Sequence, residues 1–308
     1  MSQSQKDKLS SIASWMRETE NTVSSQDSYN PDALEPHEVV MIHETFLEVL
    51  SEKLKTKHLA MMIKSSRLLL TVTANLVRAR DKLSSLLESL LVNIISHMNT
   101  DIQHEIKQLL VNEFLVIFES CMSDAAALEH MLIEFSPKLL SIVGNDSIAF
   151  FVRTGLLKSF NKFLLKIPME NRKVVFDSHG QEFESLVDCL YNCGDYDMQV
   201  TVIETLLRFT TKVVRRKMVS AWFPNYVKAQ SLFLGIKDFE SDCRNFLSHF
   251  NDGLSDKKLV WSFPMMFCTA EGRILGKPEE IAEFWIDFNL GPGTISFYYI
   301  FKVNLNIY

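Results

Sequence analysis

Large apolar residues recur along this chain at the three- and four-residue spacing of a helix face. The clearest run is Leu83, Leu86, Leu87, Leu90, Leu91, Ile94, Ile95 and Met98, which predicts an amphipathic helix started by Asp81. A stripe of that width must be buried against neighbouring helices. The period returns in Ile102, Ile106, Leu109, Leu110, Phe114 and Phe118 behind Asp101, and in Met198, Val202, Leu206 and Phe209 behind Asp195. Pro137, Gly144, Pro168, Gly180, Gly194, Pro224, Gly235 and Gly253 cut the stretch into short helices with tight turns. Nothing before about Leu259 reads as strand. Helix after helix, with no sustained heptad, predicts stacked pairs of the armadillo or HEAT type, whose repeat is about 40–47 residues.

After Asp252-Gly253 the period shortens to two. Trp261 and Phe263 alternate with polar neighbours, Phe284, Ile286, Phe288 and Leu290 share one face, Gly291-Pro292-Gly293 turns the chain, and Ile295, Phe297 and Tyr299 resume. Pro264 cannot donate to a ladder, so it places the first strand at an edge or ends it. Two or three strands rarely stand alone, so the segment is expected to be an incomplete β-rich unit. On that view its unpaired apolar strands promote aggregation, and removing residues 256–308 is expected to improve solubility. The sequence thus divides into a flexible tail over 1–36, rich in Ser, Gln and Asn and closed by Asn30-Pro31 and Glu35-Pro36, a helical domain over 37–254, and the β segment over 255–308. The fold class is mainly α.

Composition changes this picture little. A chain that is 47% hydrophobic and 23% charged can bury a core, and a formal charge of −6 supplies no overall attraction to DNA or anionic lipid. No run reaches the apolar length of a membrane span: residues 83–98 are interrupted by Ser84, Ser85, Glu88, Asn93 and His97. Five cysteines, Cys121, Cys189, Cys193, Cys243 and Cys268, lie in apolar stretches without a signal peptide, which predicts reduced thiols in cytosol or nucleus.

Candidate chemistry is sparse. Cys189 and Cys193 are four residues apart on one helix, but two further zinc ligands at usable spacing are missing, so they read as core cysteines. His37-Glu38 with His43 lacks the paired histidines of a zinc-protease helix, and His179-Gly180 reads as a turn. No G-x-S-x-G, phosphate loop or G-x-G-x-x-G occurs, so neither catalytic, metal nor cofactor-binding residues are assigned and the expected class is non-enzymatic. An enzyme whose groups converge from distant parts of the chain is the third class, behind two binding modules. Two basic clusters stand out. One spans Lys53, Lys55, Lys57, Lys64, Arg67, Arg78, Arg80 and Lys82, and the other is Lys212, Arg215, Arg216 and Lys217. Each reads either as a solvated helix face or as a surface for an acidic partner or phosphates; the second, on a helix end or start, is the candidate partner-binding site. If it ends the helix begun at Asp195, it could merely stabilise that terminus. Trp222, Phe223, Trp261 and Trp285 read as core or inter-domain packing before interface anchors.

The block Gly194-Asp195-Tyr196-Asp197-Met198-Gln199-Val200, with Ile203-Glu204, Trp222-Phe223 and residues 236–244, resembles the N-terminal region of the synaptonemal complex protein 2 and 2-like family. Residues 283–291 and 294–298 match the same pattern most closely, whereas the likeness over 101–181 is looser and little is recognisable before residue 100. The resemblance implies an armadillo-like helical domain followed by a pleckstrin-homology-like β domain, similar to the middle domain of a histone-chaperone large subunit. It further implies a nuclear, meiotic chromosome-axis scaffold that binds axis and centromere proteins, with direct contact to DNA or histones through the basic clusters as the alternative. Family members continue far beyond this length, and residues 301–308 depart from their pattern.

Overall fold

The structure, a computed structural model, describes residues 125–270, 273–276 and 284–297 together with scattered positions between 87 and 122. The expected tail, the first basic cluster, His37, His43, Asp81 and Asp101 lie outside the described residues. The described residues fall into two compact units: those up to Val143 together with Ser147–His179, and Gly144–Asp146 together with those from Gly180 onward.

In the first unit, Leu87, Leu91, Ile94, Phe114 and Phe118, all from the two predicted stripes, are helical and buried. Helix α1 (Ala125–His130) runs through a π turn (Met131–Phe135) into α2 (Ser136–Gly144). Sequence punctuation at Pro137 suggested a break here. Instead the helix widens: Pro137 has no N–H to give and its ring crowds the carbonyl four residues back, and Ser136 N–H reaches back five residues to Met131 O. Helices α3 (Phe150–Leu164) and α4 (Met169–Ser178) follow. His179 closes α4, its Nδ1 lying 3.1 Å from Val175 O, as the turn reading expected. The core is aromatic. Phe118 meets Phe135 at 5.6 Å and Phe163 at 5.8 Å, and Phe163 stacks on Phe160. Buried rings in such offset and tilted contacts contribute about 0.5–1.5 kcal/mol per pair beyond area burial.

The second unit holds α5 (Gly180–Asn192), α6 (Tyr196–Phe209), α7 (Lys212–Trp222), α8 (Val227–Gly235) and α9 (Phe239–Gly253). Asp195 caps α6 by accepting Met198 N–H at 2.8 Å, and Met198, Val202, Leu206 and Phe209 are all buried, as their spacing predicted. Sequential helices pack on one another, α5 on α6, α7 on α8 and α8 on α9, and α6 also meets α9. Between those last two, Gln199 and Asn251 exchange side-chain hydrogen bonds of 2.9 and 2.8 Å, which satisfies two buried amides reciprocally. Phe223, Phe233, Phe246 and Phe250 form the centre of the core, with Trp222 against Phe233. The packing reading of Trp222 and Phe223 therefore holds.

A 3-10 turn (Ser255–Lys257) leads into β1 (Val260–Met265), β2 (Phe267–Ala270), β3 (Arg273–Gly276), β4 (Phe284–Asn289) and β5 (Thr294–Phe297). Strands β1, β4 and β5 form an antiparallel sheet in that order, and β2–β3 is a separate hairpin that the sequence reading missed. Among the described strands β1 lies at an edge, consistent with Pro264 inside it. Among the described residues no strand precedes Val260. The protein is mainly helical with a small antiparallel sheet.

The sheet's polarity is the surprise. Register pairs Trp261 with Phe288 and Phe288 with Ile295, so these share a face with Phe263 and Ile286, and Trp261, Phe263, Phe288, Leu290 and Ile295 are solvent-exposed. The opposite face carries Ser262, Asp287 and Asn289, and Asp287 and Asn289 are buried. Alternation was legible in the sequence, but the face that meets the helices carries the buried Asp287 and Asn289 beside the buried Val260.

Candidate interaction site

Two features of the second unit offer chemistry to a partner: the junction between helices and sheet, and the basic start of α7.

At the junction, Arg244 on α9 reaches Asp287 on β4 with two parallel bonds, Nη1 to Oδ1 at 2.7 Å and Nη2 to Oδ2 at 3.2 Å, and Ser262 Oγ donates to the same carboxylate. The pair is nearly dry, with side-chain exposures of 15% and 2%. Its guanidinium lies 3.4 Å above the Tyr196 ring and 5.2 Å from that of Trp285, so stacking and bidentate pairing act together, a combination lysine cannot reproduce. Burial pushes the Tyr196 phenol far above its ordinary value, although Arg244 pulls the other way. The backbone locks the same seam: Tyr196 N–H donates to Asn289 Oδ1 at 2.9 Å, Gly291 N–H to Gly194 O at 3.0 Å and Leu290 N–H to Leu259 O at 3.0 Å. The sheet is therefore part of this unit's packing. Deleting residues 256–308 would leave Arg244 without its carboxylate, so the deletion is expected to lower the stability of the helices even as it removes the exposed apolar strands.

Beside the pair opens a groove of about 510 Å³, walled by Val200, Phe239, Phe284 and Trp285, with Asp197 and Glu240 among its lining residues. Arg244, Trp285 and Asp287 all fall in segments quoted for the family resemblance, yet no sequence pattern paired them. The available signal was Asp287 and Asn289 alternating with Ile286, Phe288 and Leu290, two polar side chains on one face of a strand whose other face is wholly apolar.

The four predicted partner-binding residues lie together on α7. Thr211 caps this helix by accepting Val214 N–H at 3.3 Å, so Lys212, Arg215, Arg216 and Lys217 occupy its first two turns. Helix α6 has already ended at Phe209. The cluster therefore sits near the positive end of a helix dipole and cannot be explained as stabilising a C-terminus. Lys212, Arg216 and Lys217 are exposed, Arg215 is half-buried with its Nε unpartnered, and Val213 beside them is exposed too. Burial lowers the pKa of Arg215. Among the described residues none of the four forms an ion pair.

Cys189, Cys193 and Cys243 behave as core thiols. Cys193 donates to Asp195 O at 3.6 Å, and its hydrogen bond with Cys189, with burial, pushes it well above the ordinary thiol range. Burial pushes Cys243 from 9.0 up to about 12, with Arg244 opposing. A folded pKa above the unfolded one means that the contribution to stability is intact below pH 9.0 and is lost as pH rises through about 12. Urea midpoints measured across that window should fall faster for the native chain than for Cys243→Ala, by about 1.4 kcal/mol per pH unit; parallel profiles would contradict the burial of this thiol. Among the described residues no group of three or more His, Cys, Asp or Glu is arranged to hold a metal, and no helix is long and apolar enough to cross a membrane.

Residues 260–305 match the family model described as the synaptonemal complex 2 Spt16M-like domain. Human synaptonemal complex protein 2 is 36% identical over 197 residues, which cover 61% of this chain and 12% of that protein. Mouse synaptonemal complex protein 2-like is 34% identical over 174 residues, covering 54% of this chain and 20% of that protein. A solved structure of a synaptonemal complex protein superposes with a TM-score of 0.67 at 24% identity, over 84% of this chain and 70% of that one, and so shares the fold. This chain thus spans only a fraction of the length of the curated relatives it matches, and over the matched residues it is similar to members of the synaptonemal complex protein 2 and 2-like family.

Proposed function

We propose that this chain is a non-enzymatic interaction module of the meiotic chromosome axis, acting in the nucleus on meiotic chromosomes and docking axis or centromere proteins through the start of α7. The observation that carries the reading is an exposed basic edge, Lys212, Arg216 and Lys217 with Arg215 behind them, that opposes its own helix dipole and has no internal ion pair among the described residues, on a chain whose relatives are synaptonemal complex proteins. Lys212, in the first turn, opposes the helix dipole, and the exposed cations are available to an acidic partner. The exposed Val213 among them supplies the apolar contact that a protein partner uses and a phosphate does not. We also read the helices as armadillo- or HEAT-like, supported by the sequential packing of α5 to α9, and residues 255–308 as part of a pleckstrin-homology-like β domain, supported by the apolar outer face of the sheet.

Direct contact with DNA or histones is the second reading, favoured by the same cluster of cations. Charge reversal at the three exposed positions (Lys212→Glu, Arg216→Glu, Lys217→Glu) separates them. Thermal stability is expected to hold within about 1 kcal/mol of the native chain or rise slightly, because a carboxylate in place of Lys212 would complement the helix start. Retention of synaptonemal complex proteins from germ-cell extract should be lost in the variant, and for the native chain it should weaken as salt is raised, as a contact between exposed opposite charges does. If instead the native chain binds duplex DNA with a log–log salt slope of about 0.9 per contacted phosphate, and the reversal abolishes that slope, the chromatin reading replaces this one. A variant that retains both activities places the docking surface elsewhere.

A further inference from the structure

We infer that the groove between α6, α9 and β4 takes an extended peptide segment of a protein partner, seating an apolar side chain with a lysine or arginine immediately beside it. This goes beyond the reading above, which concerns a surface of opposite charge.

The walls set the first requirement. Val200, Phe239, Phe284 and Trp285 present aliphatic and aromatic surface around about 510 Å³, a size suited to one or two side chains. Charge sets the second. Three ionisable side chains other than tyrosine and cysteine line the groove: Asp197, Glu240 and Arg244. Arg244 is already committed in bidentate fashion to the buried Asp287, so its charge is cancelled by a group behind the wall. Facing a ligand at the rim is Glu240, with Asp197 beside it among the lining residues. Glu240 is exposed in the first turn of α9 and forms no ion pair among the described residues. The Trp285 ring, half-exposed at the wall and already stacked with Arg244, adds aromatic surface beside Glu240. An apolar cleft with a negative rim and aromatic walls is complementary to a basic side chain next to an apolar one, and repels an acidic segment. The same arithmetic excludes nucleic acid, whose phosphates would face the carboxylates.

A selection from a displayed random short-peptide library on the native chain tests this directly. The enriched sequences are expected to share Lys or Arg adjacent to an aliphatic or aromatic residue. A synthetic peptide of that consensus should lose about tenfold or more in affinity on Glu240→Lys, and similarly when its own basic residue becomes glutamate. Glu240→Lys is at an exposed position in the first turn of α9, so its melting temperature should fall only slightly, as a reversed charge at a helix start does; Val200→Lys, which fills the groove, is the second variant and should abolish binding. Reversal of Lys212, Arg216 and Lys217 should leave this peptide's affinity unchanged, so failure here and failure of the α7 surface are distinguishable. Enrichment of acidic or purely apolar sequences, binding indifferent to Glu240→Lys and Val200→Lys, or no enrichment above the bare support overturns the inference.

Discussion

Asp287→Ala is expected to lower the stability of the chain by about 3–5 kcal/mol, the cost of leaving one member of a buried ion pair without the other. The loss comes mainly from Arg244, whose guanidinium would stay pinned between Tyr196 and Trp285 with two donors unanswered. Ser262 Oγ would lose its acceptor as well. Because the desolvation of the pair consumes most of its attraction, replacing both partners by apolar residues, Arg244→Met with Asp287→Leu, should recover a large part of the loss. The urea midpoint of the two single variants and the double variant checks both statements. Equal midpoints for Asp287→Ala and the native chain would mean that the pair contributes nothing and that the seam is held by its backbone bonds alone.

Those backbone bonds give the second large effect. Gly194 adopts φ +59°, and a methyl group built on it would lie 2.6 Å from Gly291 N. A methyl built on Gly291 would overlap the Cys193 carbonyl oxygen. The two glycines approach so closely because Gly291 N–H donates to Gly194 O, which ties the β4–β5 turn to the start of α6. Neither strand nor helix can retreat without breaking Asn289 from Tyr196 or Asp287 from Arg244. Gly194→Ala and Gly291→Ala should each therefore cost on the order of 3 kcal/mol or more, near the far end of single substitutions. Gly293 is the control: it too has positive φ, +68°, but open space around it, so Gly293→Ala should cost only about 1–2 kcal/mol of backbone strain. Similar losses at Gly194 and Gly293 would show that backbone conformation, not close approach, limits Gly194, whereas Gly291, whose φ is not positive, tests close approach alone.

Much of this architecture could be read from the sequence because it follows from local periodicity. The α6 stripe behind Asp195, the edge position of Pro264 and the turn at Gly291-Pro292-Gly293 each depend on neighbours within a few residues. What escaped depends on contacts between distant segments. Alternation in β4 gave two faces, but which face meets the helices was decided by Arg244, more than forty positions earlier in the chain. The π turn at Pro137 was read as a break because a proline's local effect and the surrounding packing pull in opposite directions, and burial of Met131, Leu132 and Phe135 keeps the helix running. The β2–β3 hairpin has short strands around Glu271-Gly272 and no strong alternation. For the site, the residue types of α7 were visible from the start, whereas their place at a helix start rather than a helix end required the Thr211 cap.

The proposed role puts the chain on the meiotic chromosome axis, held there through α7. The most direct measurement is the position of the tagged chain on spread meiotic chromosomes, beside the variant carrying Lys212→Glu, Arg216→Glu and Lys217→Glu. The native chain should form continuous or punctate signal along the synaptonemal complex axes, and the variant, equally stable, should be diffuse. Native chain that stays off the axes, or a variant that decorates them as well as the native chain does, contradicts the account.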